Sequence, residues 1–142
     1  MIRKYVDSDI DAVMQIWVNT NIQAHGFISP DYWKNNFDVV KEMLPLAEIY
    51  VYEDDCAKQI DGFIGLNDNY IEGIFVNEEA QSKGIGKQLL DCAKEVKSTL
   101  RLSVYRKNEK AIKFYLREEF NIQSENVDDN TGEKEFIMEW KH

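Results

Sequence analysis

The sequence predicts an α/β (α+β) protein built on one mixed, mostly antiparallel sheet of six to seven strands, flanked by about four helices. Three observations predict it: two helical segments precede three short alternating strands, a strand–helix–strand unit follows them, and a hairpin ends the chain. Short turns between successive strands favour antiparallel pairing, whereas a helical crossover makes its two strands parallel neighbours. The expected element order is therefore βααβββαβαββ.

The first helix is expected to begin at Ser8. Ser8 can cap it and Asp11 lies in its first turn, as in a capping box, and apolar residues then recur at helical spacing as far as Trp17. Residues 19–29 are polar and contain a glycine, so they are predicted to form a loop.

The second helix is expected to begin at Ser29, because Ser29 can cap it and Pro30 suits the first helical position. Pro45 ends it, since proline cannot continue a helix. Apolar and polar residues then alternate in three strands separated by turn residues, which predicts an antiparallel meander. These strands are residues 47–52, 60–66 and 70–76.

A crossover unit and a hairpin are predicted in the remainder of the chain. Helical spacing of apolar residues covers residues 85–96, and alternation returns at residues 100–104. Asn108 is predicted to cap a further helix that carries Tyr115. The hairpin joins residues 120–126 to residues 135–140 through a turn at residues 128–132.

Length, charge and cysteine content restrict the class of protein. With 142 residues and 44% hydrophobic residues, we expect a single domain over residues 1–142. A net charge of −9 argues against nucleic acid as a partner, because phosphate affinity depends on clustered Lys and Arg, and it is compatible with a cationic substrate. Two cysteines and no long apolar run predict a cytoplasmic protein without a disulfide framework or a membrane partner.

The loop Gln81-Ser82-Lys83-Gly84-Ile85-Gly86-Lys87 lies between a predicted strand and the start of a predicted helix. Unpaired N–H groups and the positive end of the helix dipole favour an anion there. Glycines allow the main chain to approach that anion closely, and the lysines add positive charge. A phosphate or pyrophosphate is the expected ligand.

Two common phosphate-binding motifs do not fit this loop. A P-loop requires glycine five residues before Gly86 and Ser or Thr after Lys87, but Gln81 and Gln88 occupy these positions. The dinucleotide fingerprint requires a third glycine where Leu89 stands. The P-loop and the dinucleotide-binding motif are therefore excluded.

The loop does resemble the acetyl-coenzyme A loop of the GNAT N-acetyltransferase superfamily. That motif consists of Gln or Arg, two residues, Gly, one residue, and Gly or Ala, and residues 81–86 match it. The segment "VYRKNEKAIKFYLREEF" resembles a later family segment, with Asn108 before Ala111 and a Phe-Tyr pair at its centre. The order of elements also matches along nearly the whole chain, so the resemblance implies a GNAT fold.

The resemblance implies a site for acetyl-CoA between the fourth and fifth strands, which splay apart in the family. Main-chain groups of Ile74, Phe75 and Val76 are expected to bind the pantetheine arm, and Asn108 to reach the same arm. The pyrophosphate is expected to bind the loop. The loop residues implied are Gln81, Ser82, Lys83, Gly84, Ile85, Gly86 and Lys87.

The implied activity is acetyl transfer from acetyl-CoA to a primary amine of a small molecule, a peptide or a protein. Tyr115 matches the family tyrosine that returns a proton to the leaving thiolate. Some family members carry a glutamate base on the fifth strand, but Ser103 stands there and cannot act as one. Glu72 and His25 are the alternative candidates for the base.

The acceptor is expected to bind beside the segment between the first two helices, which resembles the acceptor wall of certain small bacterial GNATs. The residues expected on the acceptor side are His25, Phe27, Tyr32 and Tyr70. No metal ligand cluster is expected. The protein is expected to act as a monomer or a homodimer.

A direct reaction in a ternary complex is expected, because neither cysteine suits a covalent route. Cys92 lies on the apolar face of its helix, and Cys56 lies in a turn without a basic neighbour. The alternative function is a catalytically silent acyl-CoA sensor or interaction domain on the same fold.

Two positions depart from the family pattern. Glu78 replaces a frequent proline, and Glu119 replaces a glycine at a helix end that commonly requires positive φ. We therefore expect backbone strain at Glu119.

Overall fold

The computed structural model describes residues 1–142 and contains seven strands, five α-helices and three short 3₁₀ helices. The mixed, mostly antiparallel sheet with flanking helices is confirmed. The strands are β1 Ile2–Lys4, β2 Glu48–Glu53, β3 Ile60–Asn67, β4 Tyr70–Val76, β5 Thr99–Tyr105, β6 Asn121–Val127 and β7 Lys134–Lys141. The α-helices are α1 Ile10–Ala24, α2 Pro30–Asn35, α3 Phe37–Met43, α4 Ile85–Val96 and α5 Glu109–Arg117, and the 3₁₀ helices are Asp7–Asp9, Leu44–Leu46 and Glu78–Ala80.

All seven strands form one sheet in the order β1-β2-β3-β4-β5-β7-β6. The predicted meander β2-β3-β4 and the hairpin β6-β7 are antiparallel, and the crossover through α4 makes β4 and β5 parallel, as predicted. Each face of the sheet covers one apolar cluster. Helices α4 and α5 pack over the cluster that includes Leu89 and Tyr115, and α1 to α3 cover the other, which includes Trp17 and Phe63.

The predicted loop 19–29 is wrong over its first half, because α1 continues to Ala24. The polar residues Thr20 and Asn21 are buried there rather than exposed. Thr20 Oγ1 donates to the carbonyl of Ile16 at 2.6 Å, and Asn21 Nδ2 donates to the carbonyl of Trp17 at 2.9 Å. These side chains satisfy their hydrogen bonds within the helix, so their polarity does not end it.

The predicted start of α1 is also wrong in detail. Asp9, rather than Ser8, closes the turn before the helix, since its carboxylate accepts from Val6 N–H at 2.9 Å and from Arg3 at 2.8 Å. Arg3 holds the pKa of Asp9 below its usual value.

The predicted second helix is interrupted at Asn36, whose Nδ2 donates to the carbonyl of Tyr32 at 2.6 Å. Its predicted start is confirmed, because Ser29 accepts from Asp31 N–H and Pro30 is the first helical residue.

Two further features bear on function. Glu119 has φ of 72°, which confirms the strain expected at that position. No helix of the structure combines the length and the apolar character needed to cross a membrane.

Candidate active site

The loop before α4 presents a run of unused main-chain donors. None of the N–H groups of residues 82–87 donates to a main-chain or side-chain acceptor in the protein. Gly84 adopts a left-handed conformation with φ of 80° at the start of α4, and no side chain caps the helix. Six adjacent N–H groups at the positive end of a 12-residue helix form a concave anion-binding surface.

The loop is fixed to the end of β4 by Gln81, whose Nε2 donates to the carbonyl of Val76 at 2.9 Å. Ser82 follows with φ of 68°, a conformation that side chains rarely adopt. The N–H groups that follow Ser82 are left without acceptors in the protein. Residues held in sparsely populated conformations cluster at binding sites.

The two loop lysines differ in their partners. Lys87 contacts Glu118 at 2.9 Å and Asp91 at 3.3 Å, so part of its charge is already compensated. Lys83 is exposed and forms no ion pair within 4 Å. Lys83 is therefore the lysine whose charge is available to an anionic ligand.

Strands β4 and β5 pair only at Tyr70 with Arg101 and at Ile71 with Leu102. Beyond these pairs β4 continues to Val76 and β5 to Tyr105, so the facing edges of these segments have no strand partner. The register between β3 and β4 also shifts after Gly65, which leaves Glu72 as an extra residue in β4. Bulges of this kind bend a strand away from its neighbour and recur beside active sites.

Tyr115 lies on α5, near Tyr70 of β4. Its ring packs on Phe114 and Phe120, with centroid distances of 5.2 and 5.5 Å, and the residue is 8% exposed. Its hydroxyl has no hydrogen-bond partner in the protein. The hydroxyl oxygen is also not fully buried, so it remains accessible. Burial raises the pKa of Tyr115, and the neighbouring Tyr70 adds to the shift, so the hydroxyl keeps its proton well above neutral pH.

Tyr70 bridges the two strands at the base of the opening. Its hydroxyl donates to Ser103 Oγ at 2.8 Å. The structure thus brings Tyr70, Ser103 and Tyr115 together, although Tyr70 and Ser103 were not paired by the sequence reasoning. Tyr70 begins β4 and Ser103 lies towards the end of β5, so the sequence indicated neighbouring strands but not this bond.

An apolar groove lies on the α1–α3 face of the sheet, lined by α1, α3 and strands β2 to β4. Its volume is about 320 Å³, and its wall includes Trp17, Phe63, Glu72 and Phe75. Glu72 is exposed, and it is the only carboxylate in this wall. The Phe75 ring lies over Gly73, where any larger residue would place its Cβ 2.3 Å from the ring. An apolar groove with one carboxylate suits an amine on an alkyl chain.

An aromatic cluster borders the opening on the β5 side. The His25 ring stacks on Trp33 at 5.3 Å and meets Phe27 and Tyr105 edge-on at 5.7 and 5.1 Å. Phe27 and Tyr105 also contact each other at 5.7 Å. Tyr32, expected on the acceptor side, packs on the far side of this cluster against Trp33 at 4.9 Å.

Tyr105 is a site residue that the sequence reasoning missed. It stands two residues after Ser103 on β5, so strand alternation directs both side chains to the same face. Its hydroxyl donates to Asp128 in the turn between β6 and β7 at 2.5 Å. Burial and this carboxylate raise the pKa of Tyr105. Strand alternation in the sequence could have placed Tyr105 on the same face as Ser103. Its contact with His25 depends on tertiary packing and could not be predicted from the sequence.

Asn108 caps α5 as predicted, since its Oδ1 accepts from Ala111 N–H at 3.3 Å. Its Nδ2 faces His25 Nε2 at 3.3 Å. Both ends of the Asn108 amide are thus in use within the protein. The expected contact between Asn108 and the coenzyme remains a prediction.

Neither cysteine has the surroundings of a nucleophile. Burial raises the pKa of the Cys92 thiol, and Cys56 is exposed in a turn. The structure contains no group of three or more His, Cys, Asp and Glu side chains arranged to hold a metal ion.

Comparison with known proteins gives three consistent results. Residues 45–122 match the family model described as an acetyltransferase (GNAT) domain. The chain is 31% identical to the peptidyl-lysine N-acetyltransferase YiaC of Escherichia coli K12, over 99% of this chain and 96% of that protein.

Two solved structures have the same fold. The solution structure of apo YjaB from Escherichia coli has a TM-score of 0.87 and 24% identity, covering 99% of this chain and 96% of that one. The yncA structure from Salmonella typhimurium, determined with its cofactor acetyl-CoA, has a TM-score of 0.68 and 16% identity, covering 99% and 92%.

Proposed function

The chain belongs to the GNAT family of N-acetyltransferases and uses acetyl-CoA, and from that premise we propose that its acceptor is the ε-amino group of a lysine in a peptide or protein. The observation that carries acetyl transfer is the row of six unbonded N–H groups, with an unpaired strand edge and an unpartnered Tyr115 hydroxyl in the same site. The name of the YiaC relative supports lysine as the acceptor.

The residues present fit the coenzyme. Unbonded N–H groups of residues 82–87 match the need of a diphosphate for donors, and Lys83 adds an uncompensated charge. The unpaired edge of β4 at Ile74, Phe75 and Val76 offers donors and acceptors to the amide groups of a pantetheine arm, as an added strand would. We propose that these residues hold acetyl-CoA.

Acetyl-CoA supplies an activated acetyl thioester. The protein's own contribution begins with Tyr115, which holds a proton at its hydroxyl at neutral pH and is free to donate it. We propose that this proton goes to the departing sulfur. The raised pKa keeps the phenol protonated at neutral pH, so the proton is present when the thiolate leaves, at the cost of a weaker acid.

The acceptor amine must lose its proton before it can react. Neutralising a lysine with a pKa near 10.4 at pH 7 costs roughly 4 to 5 kcal/mol. Glu72 lies at the β4 bulge in the wall of the apolar groove, and we propose that its carboxylate first pairs with the ammonium group and then accepts the proton. The groove itself suits the alkyl stem of the lysine.

We propose that the acetyl group is transferred directly between the two bound substrates. Burial raises the pKa of Cys92, which is the opposite of what a covalent intermediate requires, and Cys56 lies exposed in a turn. Aromatic walls on the β5 side favour a cationic group near them, because ring faces attract ammonium ions. Phe27 is proposed to border the acceptor on this side, Tyr32 to support the cluster behind Trp33, and Tyr70 to border the acceptor at the base of the opening.

The proposed function is tested by incubating the purified chain with acetyl-CoA and lysine peptides whose amino termini are blocked. Release of free thiol should accompany the gain of one acetyl group at lysine, identified by mass spectrometry. The matched control replaces that lysine by arginine and should yield no product.

Acetylation of unblocked amino termini with none at lysine would contradict the proposed acceptor. Thiol release in the absence of any acceptor would instead indicate hydrolysis and would not count as transfer.

A further inference from the structure

The His25 ring is enclosed by groups from four elements. Trp33 of α2 stacks on the ring, and Phe27, two residues after His25, meets it edge-on. Tyr105 at the end of β5 also meets the ring edge-on, and Asn108 at the start of α5 contacts its Nε2. His25 Nδ1 is sealed from solvent and reaches no acceptor in hydrogen-bonding geometry. A ring so enclosed has few ways to exchange a proton with a substrate.

The hydrogen-bonding state of the ring follows from Asn108. Asn108 Oδ1 accepts from Ala111 N–H, so the other end of the amide, the Nδ2 donor, is directed at His25 Nε2. A donor requires an acceptor opposite it. His25 Nε2 must therefore carry a lone pair, which places the ring proton on Nδ1 and leaves the ring neutral.

The surroundings oppose a charged ring. Burial lowers the pKa of His25 from its usual value of 6.5, and the Asn21 carbonyl of α1 only partly opposes this. No carboxylate faces the ring directly, because Asp128 is engaged with the Tyr105 hydroxyl behind it. Lys107 lies over the Phe27 ring at 5.5 Å, so the charged group beside this cluster is a cation and not a carboxylate.

The His25–Asn108 contact joins two parts of the site that are 83 residues apart in sequence. His25 is the residue that follows α1 and begins the segment carrying Phe27, the acceptor wall. Asn108 is the residue that begins α5, which carries Tyr115. The contact thus fixes the acceptor wall relative to the proton donor.

We propose that His25 is a positioning residue for the acceptor and not the general base: its neutral ring accepts from Asn108 and holds the Phe27 segment beside Tyr115. The acceptor-positioning role rests on the proposed function. The His25–Asn108 hydrogen bond and the neutral ring do not depend on it. The base is then left to Glu72.

The structural part is tested without catalysis, by long-range ¹H–¹⁵N NMR correlation of the His25 ring in the protein without coenzyme. The proton should be found on Nδ1. In Asn108→Asp, one carboxylate oxygen keeps the cap and the other faces the ring, so the proton should move to Nε2. A proton on Nε2 in the unaltered protein would overturn the proposal.

The positioning role is tested by steady-state kinetics of His25→Gln and His25→Leu on a lysine peptide. Gln can place an oxygen where Nε2 lies, and Leu cannot. The loss of one hydrogen bond should raise the acceptor KM of His25→Leu about tenfold with kcat within about twofold, whereas His25→Gln should stay within about threefold of the unaltered enzyme. Thermal melting checks that both variants fold.

The pH profile of kcat/KM separates positioning from base catalysis. Under the proposal, the acid limb in His25→Gln coincides with that of the unaltered enzyme. If His25 were the general base, both variants would lose this limb and their kcat would fall by about 10² to 10⁴-fold. That result would overturn the proposal.

Failure of the proposed function has a different signature. If the unaltered protein acetylates no lysine peptide, the assigned acceptor is wrong, and so is the acceptor-positioning role. The NMR result then still decides whether the His25–Asn108 bond and its tautomer are correct.

Discussion

Replacing Tyr115 by Phe removes one oxygen atom that has no hydrogen-bond partner in the protein. No protein hydrogen bond is lost, so the free energy of unfolding should change by less than about 0.5 kcal/mol. The proton donor is lost entirely, and kcat should fall by about 10² to 10⁴-fold. That fall corresponds to about 3 to 5 kcal/mol of the activation barrier.

Tyr50 provides a matched control in the same apolar cluster. It is 9% exposed, compared with 8% for Tyr115, but its hydroxyl donates to Glu48 at 2.7 Å. Tyr50→Phe should lower the free energy of unfolding by about 1 to 2 kcal/mol, because a hydrogen bond to a carboxylate is lost. Its kcat should remain close to that of the unaltered enzyme, since Tyr50 lies on β2, away from the opening.

The two variants are compared by thiol release with saturating acetyl-CoA and by urea unfolding. The expected result is a crossed pattern: Tyr115→Phe loses turnover and keeps stability, and Tyr50→Phe loses stability and keeps turnover. Equal turnover in Tyr115→Phe and the unaltered enzyme would refute the assignment of Tyr115 as the proton donor. A large loss of stability in Tyr115→Phe would refute the claim that its hydroxyl is unpartnered.

Three further predictions concern strain, pH and the base. Glu119→Gly should raise the free energy of unfolding by about 1 kcal/mol in urea titrations, because glycine adopts φ of 72° without strain, whereas Glu119→Ala should bring no such gain. The native state disfavours protonated His25, so stability should fall as pH decreases below 6.5 towards the lowered native pKa, with a slope of up to about 1.4 kcal/mol per pH unit. That slope should be absent in His25→Gln. An identical slope in the variant and the unaltered protein would contradict the assignment of the slope to His25. Glu72→Gln should lower kcat/KM for a lysine peptide at least about 100-fold and remove its acid limb, and unchanged kinetics would exclude Glu72 as the base.

The sheet was predictable from the sequence because its signals are local. Strand alternation marked β2 to β5, and the spacing of apolar residues over residues 85–96 agrees with α4 at Ile85–Val96. The glycine loop was recognisable for the same reason, because the end of the strand, the glycines and the start of the helix follow one another in the sequence. The strain at Glu119 was also predicted, because a helix end of that type needs positive φ whatever residue stands there.

The helices before β2 were less predictable, because residue type alone does not decide whether a polar side chain bonds back to its own helix. Thr20 and Asn21 look like loop residues until their side chains are seen to bond inside α1, and Asn36 gives no sign that it will interrupt a helix. The contact between His25 and Asn108 spans 83 residues and depends on the packing of four elements. No local pattern in the sequence encodes it.

The central claim is that the N–H groups of residues 82–87 hold the diphosphate of the coenzyme. The most direct measurement is a titration of ¹⁵N-labelled protein with coenzyme A, followed by ¹H–¹⁵N correlation spectra. The amide signals of residues 82–87 should shift together and most strongly, at the coenzyme concentration that protects the protein against thermal unfolding. Protection with these six signals unmoved would contradict the claim.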